Sequence, residues 1–332
     1  MYSPTRIRIH YPDDKKFSSQ NPSKLTLSSI IVVSLIVLTF CSIASVTIHS
    51  TLFDTKTYGI DDEDSIHTIN ISPPKIHHCL NEDFQYEHKI SIWTMLNDNP
   101  SYVKSALKLG RALKKHTTET EFDLVVMTLK HKPLSDESMS QLAEVGFVNC
   151  VVDPIRPSHL EGKTRKDLQE KFGVLHVFAM TIYDTVLFID ADTFVQGPID
   201  DLLNMDLGGK TIGVTKDIRN RKWVDTFNTG VMLLHPSEDV YNYLIKLVMD
   251  EKFEFEYIMS DQGFLNAVYK DDWHEIGFLN NANLALYRFK REFWDEHKLE
   301  DIKIIHYTMQ KPWRCNANGP YGPICKVWID AE

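Results

Sequence analysis

The run Val186-Leu187-Phe188-Ile189 presents apolar side chains to both faces of a strand and stops abruptly at Asp190-Ala191-Asp192. A strand apolar on both faces has to be covered on both, which favours a parallel sheet between layers of helix. Two carboxylates at its end ask for a cation. If the chain stays extended through Asp192, the period of two sends both acids to one side and Ala191 to the other. Hard divalent metals prefer such oxygen ligands, and one held by few carboxylates commonly shares its other positions with phosphate oxygens. The string therefore reads as a metal-diphosphate site.

Other readings of so short a string are weaker. An EF-hand loop requires an oxygen ligand at Phe194 and glycine at Val195, and has neither. A phosphatase of the haloacid dehalogenase type also places two acids after an apolar strand, but usually carries glycine and threonine where Thr193 and Phe194 stand. The plainest alternative is a solvated strand end whose charges cap a loop.

The 332 residues, 43% hydrophobic and 25% charged, allow one large domain with appendages. Residues 25–48 carry no charge and are rich in Ile, Val and Leu, enough for the roughly 20 residues a bilayer-spanning helix needs. A signal peptide has a shorter apolar region nearer the first methionine, so the segment reads as an uncleaved anchor. Arg6, Arg8, Lys15, Lys16 and Lys24 precede it, whereas Asp54, Asp61, Asp62, Glu63 and Asp64 follow. The positive-inside tendency then makes residues 1–24 a cytoplasmic tail and puts the remainder in the secretory lumen. There Asn70-Ile71-Ser72 is the one acceptable glycosylation signal. Residues 49–88, polar and acidic with Pro73-Pro74 at their middle, read as a stem. The net charge of −10 argues against a nucleic-acid partner. Cys315 and Cys325 bracket a turn-rich stretch and are the first disulfide candidate; Cys79 with Cys150 is the weaker pair.

Residues 89–332 alternate short apolar runs with helical patterns. Strands are predicted at 90–96, 122–129, 147–152, 186–189, 211–215, 229–234 and 302–306, and helices at 102–115, 167–182, 240–249 and 261–269. The first of these helices would turn Val103, Ala106, Leu107, Gly110 and Leu113 to one face. The expectation is a single α/β domain, Rossmann-like, with a mostly parallel sheet and its ligand at the carboxyl ends of the strands.

Five landmarks in order, Asn99 with Tyr102, Phe188-Ile189-Asp190-Ala191-Asp192-Thr193, Phe227-Asn228-Thr229-Gly230-Val231, Asp261-Gln262-Gly263-Phe264-Leu265-Asn266, and His306-Tyr307-Thr308 with Lys311-Pro312-Trp313, give the segment from about Ser91 to Arg314 a specific likeness. It resembles the retaining glycosyltransferases of family 8, the glycogenin-like group, whose nucleotide-sugar-binding domain is of the GT-A type. The resemblance implies manganese, with magnesium as the alternative, held by Asp190, Asp192 and His306 against the diphosphate of a UDP-sugar. Two carboxylates and an imidazole suit manganese, which accepts oxygen and nitrogen.

It further implies that Lys311 neutralises the diphosphate, that Asn99 and Tyr102 meet the uracil, that Ala191 lies along the nucleotide, and that Asn228 and Gly230 face the sugar. Asp261 and Gln262 become the candidate catalytic residues beside the anomeric carbon, with a helix N-terminal carboxylate as the bland account of Asp261. The family has a lysine where this chain has Val174, and Lys171 one turn earlier is the possible substitute. His306 and Lys311 stand closer together than in glycogenin. The expected protein is a type II, single-pass glycosyltransferase of the Golgi or endoplasmic reticulum membrane. It would move a hexose-type sugar from UDP to a glycan, glycoprotein or glycolipid with retention. A catalytically silent lumenal glycan-binding protein is the alternative from a different class, and the oligomeric state is left open.

Overall fold

The computed structural model describes residues 76–77, 86–165 and 168–331, all within one compact unit, 71–332. The predicted tail and anchor, nearly all of the predicted stem, Asn70 and Cys79 lie outside the described residues. Among the described residues no helix is long and apolar enough to cross a membrane.

The strands are β1 (Ile76–His77), β2 (Ile90–Leu96), β3 (Asp123–Leu129), β4 (Phe147–Val152), β5 (Thr185–Ile189), β6 (Thr193–Val195), β7 (Ile212–Arg219), β8 (Lys222–Leu234), β9 (His274–Glu275), β10 (Ala282–Asn283) and β11 (Ile304–His306). The helices are α1 (Pro100–His116), α2 (Asp136–Val145), α3 (Asp200–Leu203), α4 (Glu238–Met249), α5 (Ser260–Tyr269), α6 (Leu284–Phe289), α7 (Arg291–Asp295) and α8 (Gly322–Asp330).

The main sheet runs β1-β4-β3-β2-β5-β8-β7-β9, parallel through β4, β3, β2 and β5 and antiparallel where β8 joins β5 and β7 joins β8. Alternate residues feed two cores. Ile92, Val126, Leu187 and Ile189 enter one, and Trp93, Val125, Val186 and Phe188 the other. The doubly apolar strand is therefore covered on both sides. A second sheet, β10-β11-β6, lies beyond the end of β5, with His306 opposite Thr193 in the antiparallel β11–β6 ladder.

Asn99 starts α1 by accepting the Ser101 N–H at 3.0 Å, with Pro100 in the first turn and Lys114, Lys115 and His116 in the last. The helix buries Val103, Ala106, Leu109, Gly110 and Leu113, while Leu107 is only partly covered. At Gly110 a Cβ would stand 2.6 Å from Phe147, so glycine sets the distance between α1 and β4.

Two expectations need correction. The helix predicted at 167–182 is a 3-10 segment, Lys171–Ala179, in which Phe172 to Phe178 are all buried. With no solvent face, nothing in the pattern selects a period of 3.6 over three. The strands predicted at 211–215 and 229–234 are parts of one long hairpin, turned by Asn220 and Arg221 at φ 48° and 64°. Two positive φ values suit the twist of a two-residue hairpin loop, but Arg221 lacks the glycine signal by which such loops are recognised.

Candidate metal and donor site

The chain does not stay extended through Asp192. Thr193 donates both its N–H, at 3.0 Å, and its hydroxyl, at 2.8 Å, to the Asp190 carbonyl, closing a turn between β5 and β6. The acids still converge, because the turn folds them against β11 rather than because a strand alternates. Ala191 is the residue turned into the core, 3% exposed. The Asp192 carbonyl accepts the Tyr307 N–H at 3.0 Å, and the His306 imidazole closes over the pair. His306 Nε2 is 3.8 Å from Asp190 Oδ2 and 3.5 Å from Asp192 Oδ1. Ligand atoms of all three lie within 4.8 Å of one another. Two carboxylate oxygens and an imidazole nitrogen converging this closely fit a divalent cation that takes mixed oxygen and nitrogen ligands.

Two lysines flank the cluster. Lys171 donates to Asp190 Oδ1 at 2.6 Å, and Lys311 pairs with Asp192 Oδ2. Burial would pull the Lys171 ammonium down, but Asp190 and Asp261 outweigh it and hold it above the usual lysine range. Lys311 is raised in the same way by Asp192. Asp192 shows the converse: burial pushes its carboxyl up, and His306 and Lys311 hold it well below the usual carboxylate range. The lysine that the segment before β5 brings to this site is therefore Lys171. Val174, where the resemblance implies a lysine, is a core residue at 1% exposure. A 3-10 segment shifts which residue points where, and a count of residues along the chain cannot show that.

Asp261, in the first turn of α5, is pushed up to about 6 by burial, moderated by Lys171 and reinforced by Asp190. Its Oδ2 accepts the Thr229 hydroxyl at 3.1 Å. Gln262 and Asn228 form one amide pair, Asn228 Nδ2 donating to Gln262 Oε1 at 3.1 Å. Both also donate to Asp217 Oδ2, Gln262 at 3.1 Å and Asn228 at 3.4 Å. Asp217 Oδ1 accepts from Asn283 at 3.3 Å. Sequence reasoning missed Asp217, which sits mid-strand in the long hairpin with no motif around it. It also missed Asn281, which bridges Asn228 and His306.

Gly230 has a specific reason to be glycine. A Cβ there would fall 2.0 Å from His306 Cε1, inside the imidazole. Tyr102 packs edge-on against Trp313, ring centroids 4.4 Å apart, and its phenol is near enough to Lys311 to raise it. Asn99 is exposed and occupied in capping α1. Thr94, on β2, keeps a buried hydroxyl with no hydrogen-bond partner among the described residues.

The Cys315–Cys325 disulfide forms, with Cα atoms 5.2 Å apart, and ties the segment carrying Lys311 and Trp313 to α8. Cys150 is also disulfide-bonded.

The fold itself is shared with solved glycosyltransferases. The glycosyltransferase GlyE of Streptococcus pneumoniae TIGR4 superposes with a TM-score of 0.56 at 22% identity, covering 74% of this chain and 60% of that one. The galactosyltransferase LgtC, solved with donor and acceptor sugar analogues, gives 0.51 at 17% identity over 72% and 95% of the two chains. At such identities the likeness is one of fold. Residues 42–317 match the model of glycosyl transferase family 8, and the chain belongs to that family. Mouse glycogenin-1 is 30% identical over 234 residues, 67% of this chain. The chain spans 65% of the length of that relative.

Proposed function

We propose that the protein transfers a hexose-type sugar from a UDP-sugar to a glycan, glycoprotein or glycolipid acceptor, with retention of anomeric configuration. The observation that carries this is the convergence of Asp190, Asp192 and His306 between two lysines. The three side chains would hold manganese, which when bound neutralises charge developing on the departing diphosphate. Lys311 and Lys171 are the chain's own cations for the same oxygens: each is paired with a metal-ligand carboxylate and stays protonated. Tyr102 and Trp313 offer an aromatic surface to the base. Asp217, Asn228 and Gln262 present amide and carboxylate groups suited to sugar hydroxyls. Asp261, once ionised, would stabilise positive charge at the anomeric carbon.

The uncharged run at 25–48, basic before and acidic after, supports a membrane anchor with the enzyme in the secretory lumen. Glycosylation at Asn70 in microsomes, scored by gel shift and its loss on Asn70→Gln, tests that orientation.

The catalytic reading is tested by incubating the full chain with a panel of UDP-sugars and Mn2+ and identifying products by mass. Turnover that depends on the metal and disappears in Asp192→Asn with the fold intact is the expected result. No hydrolysis, transfer or UDP binding with any donor would overturn it in favour of a silent glycan-binding protein.

A further inference from the structure

Asn281 lies on no landmark of the sequence, is fully buried, and touches the ring nitrogen of His306 that faces away from the acids. Its partners leave no freedom about which amide atom does what. The Gly230 backbone N–H donates to Asn228 Oδ1 at 3.0 Å, and a backbone N–H is a donor only, so this contact fixes the Asn228 oxygen. Asn281 Nδ2 donates to that same oxygen at 3.0 Å. The Asn281 oxygen is thereby turned toward His306 Nδ1, 3.1 Å away. Oxygen there can only accept, so Nδ1 carries the proton. In the neutral imidazole that a metal ligand must be, the other nitrogen is then bare. That nitrogen is Nε2, the one directed at Asp190 and Asp192.

We infer that Asn281 is a positioning residue that fixes His306 in the tautomer whose Nε2 lone pair completes the cation site, with Asn228 and the Gly230 N–H setting Asn281 in turn. The inference rests on the metal reading given above. A ligating histidine is usually held by a carboxylate, carbonyl or water on its other nitrogen. Here the role falls to a side-chain amide, which has two ends and is useful only because a backbone N–H decides which end faces the ring. The same Asn228 also donates to Gln262 and Asp217. The orientation of the metal ligand and that of the amides suited to the sugar are thus one connected hydrogen-bond system.

The test is Mn2+ binding to the full chain without nucleotide, with free ion measured by electron paramagnetic resonance. Asn281→Leu is expected to weaken binding about 10- to 100-fold. Asn281→Asp, which keeps an acceptor for the Nδ1–H, should bind far better than Asn281→Leu although it buries a charge. If Asn281 acts only through His306, adding Asn281→Leu to His306→Ala should cost nothing beyond His306→Ala alone. Asn281→Ala carries the same expectations should the leucine variant fail to fold. Unchanged Mn2+ binding in Asn281→Leu or Asn281→Ala, or full additivity with His306→Ala, would overturn the inference and leave the metal site standing. No Mn2+ binding by the unaltered chain would overturn the metal reading and this inference with it.

Discussion

The His306 imidazole packs against Gly230, so close that a Cβ on residue 230 would be 2.0 Å from Cε1, 2.5 Å from Nδ1 and 2.9 Å from Nε2. No side chain fits between them. The backbone cannot give easily either, because the Gly230 carbonyl accepts the Asp190 N–H at 2.7 Å on the other side of the same site.

Gly230→Ala should therefore displace the ligand rather than merely crowd it. Mn2+ affinity is expected to fall about 10- to 100-fold, the scale on which a misoriented ligand acts. Calorimetric titration with Mn2+ checks this, and circular dichroism shows whether the fold persists.

Lys171, and not Val174, should carry the effect of a site lysine. Lys171→Met removes a charge-assisted contact of about 1.5–3 kcal/mol, and kcat should drop by roughly 10- to 100-fold if that contact passes to the diphosphate. Val174→Lys should not rescue it, because it buries an ammonium in the core at a cost of several kcal/mol. Donor kinetics on the single and double variants, with thermal melts, separate the two effects.

The raised Asp261 carboxyl predicts a pH-dependent cost. Burial in the folded chain pushes this carboxyl from its ordinary value of 3.8 up to about 6. The folded state thus holds the proton more tightly, and the associated stability is present below about 3.8 and lost as the pH rises through about 6. Asp261→Asn in EDTA should be more stable than the parent at pH 8, by on the order of 3 kcal/mol. The difference should vanish toward pH 4. Urea melts at the two pH values measure it, and equal melts at pH 8 would contradict the burial argument.

Opening the Cys315–Cys325 bridge should act on donor binding. The segment between His306 and Cys315 carries Lys311 and Trp313, and it is tied to α8 by the disulfide and by the Tyr307 hydroxyl donating to the Ile324 carbonyl at 3.0 Å. α8 is held to α1 by Lys108, which donates to Trp328 O at 3.0 Å and Ala331 O at 2.5 Å. A double Cys→Ser variant should raise KM for the donor several-fold with kcat less affected. It should also lose about 2–3 kcal/mol of stability through the released loop.

Much of this was legible in the sequence, and the reason differs from element to element. Val186 to Ile189 announced a strand buried on both sides, because hydrophobic burial is set by composition and does not depend on the partner. The acids after it announced a cation. The helix after Asn99 was readable from the spacing of Val103, Ala106, Gly110 and Leu113, although the capping role of Asn99 was not, and Cys315 with Cys325 from the turn residues between them. What the chain could not disclose depended on neighbours distant in sequence. The turn at Asp190 to Thr193 and the β6–β11 register bring His306 across more than 100 residues onto Asp192. A 3-10 winding, in a segment whose all-round burial left its period undecided, brings Lys171 rather than Val174 to Asp190. Asn281 and Asp217 carry no local signature because an amide or carboxylate in a loop or strand is commonplace until its partners are known. Sequence alone decided what kinds of groups were present and that a buried strand would deliver two of them to its carboxyl end. Tertiary structure decided which nitrogen of His306 faces them, because that choice is made by hydrogen bonds between segments that meet only in the folded chain.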